Sequence, residues 1–115
     1  MYSRPHTLTG VVAFTGAGYD HASLPDPSLV YVVPADRRAQ LIYVRAGNSS
    51  AALAYVALVT NNRTTRLFPI GAQAAMHVQL SIVPDLEPGD RIELHLAAAP
   101  GESGTLVVDL GFTLI

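Results

Sequence analysis

The chain has 115 residues, of which half are apolar and only 14% charged; its seven basic residues are all Arg, and its net charge is −2 at pH 7. That length suits one domain whose core buries roughly two thirds of the unfolded surface; scattered Arg offers no basic stripe for nucleic acid; and with no Cys, disulfides, thiolate nucleophiles and Cys-based metal sites are excluded. Soluble domains usually carry about 25% charged residues, so the surface is expected to be neutral or partly buried against other subunits.

The N-terminal MYSRPHTLTG lacks the apolar core of a signal peptide. No apolar run approaches the ~20 residues of a membrane helix. The chain is therefore expected to be soluble and made in the cytoplasm.

The apolar pattern has period two, the signature of strands with one buried face. In chain order the predicted strands are 7–14, 29–33, 39–46, 52–60, 76–82, 91–96 and 105–114. The strands 39–46 and 52–60 are apolar on both faces, so they are central or pack on a partner. In the last three, Met76, Val78, Leu80, Leu94, Leu96, Leu106, Val108, Leu110 and Phe112 are expected in the core. GAQAAM at 71–76 reads as a strand lead-in. Turn residues part the runs at GNSSA, TNNRTTR, EPGD and APGESG. The expected fold is all-β, an antiparallel sandwich or jelly-roll-like barrel of about seven or eight strands in one domain spanning the chain. The C-terminus is expected to be pinned in the sheet. The long irregular piece TGAGYDHASLPDPS, 15–28, follows the first strand, and loops of this length are often functional.

Charge gathers in DLEPGDRIEL, 85–94. Pro88 fixes φ and Gly89 permits a positive one, as a type II turn requires. Asp90 is placed to cap the turn by accepting backbone N–H bonds. The stretch therefore reads as an exposed corner, without a catalytic carboxylate pair.

No other constellation assembles a catalytic, metal or cofactor site. His77 and His95 fall on the polar faces of two consecutive strands; if those strands pair, the two imidazoles could meet, with Glu93 or Asp109, as a metal site, but solvent-facing histidines are the simpler reading. Asp20, His21 and Ser23 lack the strained elbow of a hydrolase nucleophile. GAG at 16–18 lacks a following helix and reads as a turn, without a phosphate-loop role. The sequons at Asn48 and Asn62 read as turn residues. Of the five tyrosines, Tyr43 and Tyr55 sit in core-like strands, where a ring packs and its hydroxyl finds a bond.

The run Val33, Pro34, Ala35, Asp36, Arg37, Arg38, then Asn48, Ser49, Ser50, then Leu86, Glu87, Pro88, Gly89, Asp90 and Ile92 resembles small β-sandwich virion structural proteins of tailed bacteriophages. These are head decoration, head-fibre or tail-associated subunits. The resemblance spans about residues 30–114 and leaves the N-terminal third unmatched. It implies a non-catalytic structural subunit in the virion, binding major capsid or tail proteins and forming a homo-oligomer, with a trimer preferred. It implies no cofactor, nucleic acid or membrane partner. Residues 1–6 and 15–28 are then the expected contact segments, through Tyr2, Tyr19, His21, Leu24 and Pro25. The alternative is a tail or receptor-binding, lectin-like carbohydrate-binding sandwich, with Tyr19, Asp20 and His21 as the exposed aromatic and polar set.

Overall fold

A computed structural model describes residues 3–80 and 85–115. The described residues form nine strands: β1 Arg4–Thr15, β2 Val30–Val32, β3 Ala39–Asn48, β4 Ala54–Thr60, β5 Arg63–Ile70, β6 Ala74–Gln79, β7 Asp85–Leu86, β8 Arg91–Ala98 and β9 Ser103–Leu114. Among the described residues there is no helix. The strands form two antiparallel sheets. One has the order β1-β9-β3-β6, with β7 also pairing β3; the other has the order β2-β8-β4-β5. The fold is the expected all-β sandwich.

The chain alternates between the sheets, and among the described connections only β4–β5 is a hairpin. Thr60 faces Arg63 across it, with Asn61 at φ 51 and Asn62 at φ 65. Two consecutive left-handed residues make a type I′ turn, whose twist suits adjoining strands. The expected TNNRTTR turn is thus shorter than predicted. Only Asn61 and Asn62 turn, and Arg63 already opens β5. Its polar Thr64, Thr65 and Arg66 hide the strand pattern, because β5 is an edge strand with exposed residues. Pro69 is tolerated there, since an edge strand leaves N–H groups unpaired.

Inward-facing residues of both sheets fill the space between them. Leu29, Leu41, Leu58, Ile70, Ile92, Leu94, Leu106 and Leu110 are fully buried. Each such side chain contributes roughly 1.5–3 kcal/mol through apolar burial. The predicted core residues on β8 and β9 are buried, as is Leu80, while Met76 and Val78 pack on the core from the edge strand β6. Ile82, predicted to continue that strand, and Tyr2 lie outside the described residues. The two strands with apolar residues on both faces are central: β3 lies between β9 and β6, and β4 between β8 and β5. Outward-facing Ala57 and Val59 on β4 are consequently buried within the single chain.

The 87–90 corner has the expected geometry. Asp90 N–H donates to Glu87 O at 3.0 Å, and Gly89 has φ 84. Asp90 Oδ2 accepts from Glu87 N–H at 2.8 Å, while its Oδ1 accepts from Asn61 at 2.9 Å. The corner carries the chain from β7 in one sheet to β8 in the other.

Of residues 1–6, which precede the predicted strand 7–14, Arg4, Pro5 and His6 belong to β1. It pairs with β9 without interruption from Arg4↔Leu114 to Thr15↔Ser103. The long loop after it is tied to the framework. Gly18 N–H donates to Ala98 O at 2.8 Å, and Ser23 exchanges backbone bonds with Leu96. Asp26 Oδ1 accepts from the Ser28 N–H and hydroxyl at 2.8 and 2.6 Å, and these bonds hold its carboxyl below the usual range.

Candidate functional site

The loop 16–28 connects β1, at the edge of one sheet, to β2, at the edge of the other. Between them opens a cleft of about 280 Å³ lined by Phe14, Thr15, His21, Leu24, Pro25 and Leu96. Three of the expected contact residues, His21, Leu24 and Pro25, are thus brought together. Leu24 also packs against the core. Tyr19 stands apart from the cleft and is 43% exposed. Its hydroxyl donates to Leu53 O at 2.8 Å, and its carbonyl accepts from the Tyr55 hydroxyl. Both rings therefore brace the loop against the start of β4. His21 Nε2 lies 3.6 Å from Asp20 Oδ1, with both side chains mostly exposed. Ser23 is held by its backbone bridge to β8.

The two strand histidines do not meet. β6, carrying His77, and β8, carrying His95, belong to different sheets. His95 Nε2 donates to Glu93 Oε1 at 2.8 Å, and Arg91 Nε donates to Glu93 Oε2 at 2.7 Å. The His95 bond first, and the Arg91 bond second, hold the Glu93 carboxyl below its ordinary value. Asp109 belongs to the other sheet, on the row that also holds His77. The four residues thus split into two sets on separate sheets. Among the described residues, no three His, Asp or Glu side chains converge as metal ligands.

Tyr43 and Tyr55 are half-buried on the outer faces of their sheets, outside the core cluster. Tyr55 faces outward because its β4 neighbours Ala54 and Val56 face inward. A bulge between Leu41 and Tyr43 gives Tyr43 the same outcome. The hydroxyls find partners, as expected of tyrosines in such strands.

Tyr43 belongs to a set that the sequence pattern did not reveal. Four strands place residues side by side on the outer face of the five-stranded sheet. One row runs Thr9, Asp109, Arg45, His77; the next runs Val11, Val107, Gly47, Ala75. Tyr43 sits one row further along, opposite Gly111. Its hydroxyl donates to Asp109 at 3.2 Å, its ring lies 5.2 Å from the Arg45 guanidinium carbon, and His77 meets it edge-on with centroids 6.0 Å apart. Burial first, then the Asp109 bond, raises the Tyr43 pKa above its ordinary value. Beside this set lies an open groove of about 510 Å³ lined by Arg45, Gly47, Ala75, His77, Val107 and Asp109. The sequence signal was weak, since the set comes from three strands, β3, β6 and β9, and only the register joins them.

The sequons are accounted for in the same terms. Asn48 is buried; its amide donates to Ala52 O at 2.9 Å and Gly71 O at 3.3 Å, and its Oδ1 accepts from Ser50 N–H at 2.9 Å. Asn62 holds a left-handed position of the hairpin turn. Asn62 is thus the expected turn residue, whereas Asn48 ends β3 and ties the turn that follows through its side chain.

No family model matches the chain, and no curated protein matches it in sequence. Solved structures do match its fold. A CBM36-1 domain of a multidomain xylanase from the hindgut metagenome of Trinervitermes trinervoides superposes with TM-score 0.52 at 14% identity, over 89% of this chain and 95% of that domain. A family 35 carbohydrate binding module from Clostridium thermocellum gives TM-score 0.50 at 14% identity, over 95% and 97%. The VP2 subviral particle of infectious bursal disease virus gives TM-score 0.53 at 14% identity, over 96% of this chain but only 32% of VP2. At such identity the likeness is one of fold. The chain is a small two-sheet β-sandwich with the architecture shared by these binding modules and this capsid protein.

Proposed function

We propose that the chain is a non-catalytic structural subunit of a tailed-phage virion, a capsid decoration or head-fibre protein that self-associates and binds neighbouring virion proteins. The observation that carries the reading is β1. This strand of 12 residues lies at a sheet edge, and among the described residues it pairs with β9 alone. From His6 to Thr15 it carries no Asp, Glu, Lys, Arg or Pro, and its pairing has no bulge. Monomeric proteins blunt such edges with charge, proline or bulges, because unpaired N–H and C=O groups template another strand. An edge left this flat suits a subunit whose neighbour supplies the next strand.

Pairing of β1 with the β6 edge of the next subunit is heterologous, and heterologous contacts form a ring where the rotation between subunits closes and a filament where it does not. A ring of three matches the three-fold positions of shells and the axes of fibres. The cleft at His21, Leu24 and Pro25 opens beside the C-terminal end of β1, where it serves as the contact to the capsid or tail surface. The 15–28 tether to β8 and β4 makes that surface rigid, which limits the entropy lost on docking. The sequence grammar from Val33 to Ile92 supports the same reading.

Two experiments test the assignment. Mass spectrometry of purified particles from the phage that encodes the chain is expected to detect it in stoichiometric amount. Flanking genes are expected to encode a major capsid, portal or tail protein. Absence from particles, together with a neighbourhood of metabolic genes, contradicts the reading.

A further inference from the structure

The geometry points to a saccharide-binding site in the groove on the outer face of the five-stranded sheet, with Arg45 and Asp109 as the hydroxyl-binding pair. This site lies apart from the β1 edge and the 16–28 loop, but it borders β6, which lends it Ala75 and His77 and whose edge meets the neighbouring subunit in the assembly reading.

Three features carry the inference. The first is unspent hydrogen-bonding capacity. Arg45 and Asp109 are direct partners across β3 and β9, yet no ion pair joins Arg45 to a described residue. Its guanidinium offers five N–H donors. Asp109 receives the Tyr43 hydroxyl at 3.2 and 3.3 Å, long for bonds of this kind, and keeps lone pairs to spare. The second is preorganisation. Tyr43 lies against Gly111, bonds Asp109 and contacts the Arg45 guanidinium, so one ring orients both charged groups. The third is the floor. Val107, Gly47 and Ala75 form a flat apolar strip beside the charged row, and the groove's volume of about 510 Å³ falls within the about 300–1,000 Å³ of small-molecule sites.

A sugar ring matches these features. Its vicinal hydroxyls both donate and accept, as a guanidinium beside a carboxylate requires, and its C–H face needs an apolar floor. Other ligand classes match less well. A phosphate or uronate would meet the Asp109 carboxylate, and an aromatic ring would find no open ring to stack on. The structure thus favours a neutral hexose or hexosamine unit of a longer glycan, which an open groove admits at internal positions of the chain.

The test uses an array of printed neutral, uronic-acid-bearing and phosphate-bearing oligosaccharides, followed by calorimetric titration of the best neutral binder. Wild type is expected to bind neutral glycans. Arg45→Ala and Asp109→Asn are each expected to weaken binding about ten- to hundredfold, the loss of a hydrogen bond to a charged group. Gly47→Leu fills the floor. A Cβ at 47 would lie 3.9 Å from both Ala75 and Val107, so this variant is expected to keep the wild-type melting temperature while losing binding. Three outcomes overturn the proposal: no array signal, binding of anionic glycans only with Asp109→Asn unaffected, or neutral binding that persists in folded Gly47→Leu. Loss of self-association in Gly47→Leu also overturns it, because the groove would then be an interface between copies.

Discussion

Tyr43 and Gly111 are direct partners across β3 and β9, and the tyrosine ring occupies the space a side chain at 111 would take. A Cβ there would overlap ring atoms Cδ2, Cε2 and Cζ. The ring is the rigid body of its face and cannot yield without releasing Asp109. Gly111→Ala is therefore expected to cost about 1–3 kcal/mol by overpacking, read from the urea midpoint, and to weaken any ligand bound through Asp109.

Leu110, one residue earlier, points the opposite way and is fully buried. Leu110→Ala is expected to cost roughly 2–5 kcal/mol through lost burial and the cavity left behind. Chemical denaturation with an unchanged slope would confirm that only native stability moved.

Asn48→Ala removes a buried amide that serves the Ser50 N–H and the Ala52 and Gly71 carbonyls. Leaving such groups without partners is expected to cost about 1–3 kcal/mol. Asn48→Asp keeps the acceptor for Ser50 but loses both donations, so it should not restore the wild-type melting temperature.

The Glu93 cluster sets a pH dependence. Bonds from His95 and Arg91 hold the Glu93 carboxyl below its ordinary value of 4.5. A carboxyl whose folded pKa is depressed contributes stability that is fully present above the unfolded value and is lost as pH falls through the folded one. Wild type is thus expected to exceed Glu93→Gln in stability at pH 6, with a smaller gap at an acidic pH below the ordinary carboxylate value of 4.5. Urea midpoints of the two proteins at both pH values measure it, and a gap that stays constant would show that the contribution is not carboxylate linkage.

How much of this was legible depended on whether the signal was local. The EPGD turn was readable because Pro88, Gly89 and Asp90 each act within four residues of chain. The core of β8 and β9 was readable because inward residues alternate with outward ones along single strands. β5 was missed because an edge strand exposed on most positions carries no alternation to read. The Tyr43, Arg45, His77 and Asp109 set was missed because register, a property of the sheet, brings three strands together. His77 and His95 look equivalent in sequence and sit in different sheets, since a chain that alternates between sheets separates strands that are near in sequence.

The most direct test of the assembly account is multi-angle light scattering at micromolar concentration, on wild type and on a Thr9→Lys, Ala13→Lys double variant. Both residues are exposed on β1, and edge lysines oppose strand addition. The account predicts a trimer for wild type and a folded monomer for the variant. A monomeric wild type, or a variant that associates as wild type does, would contradict it.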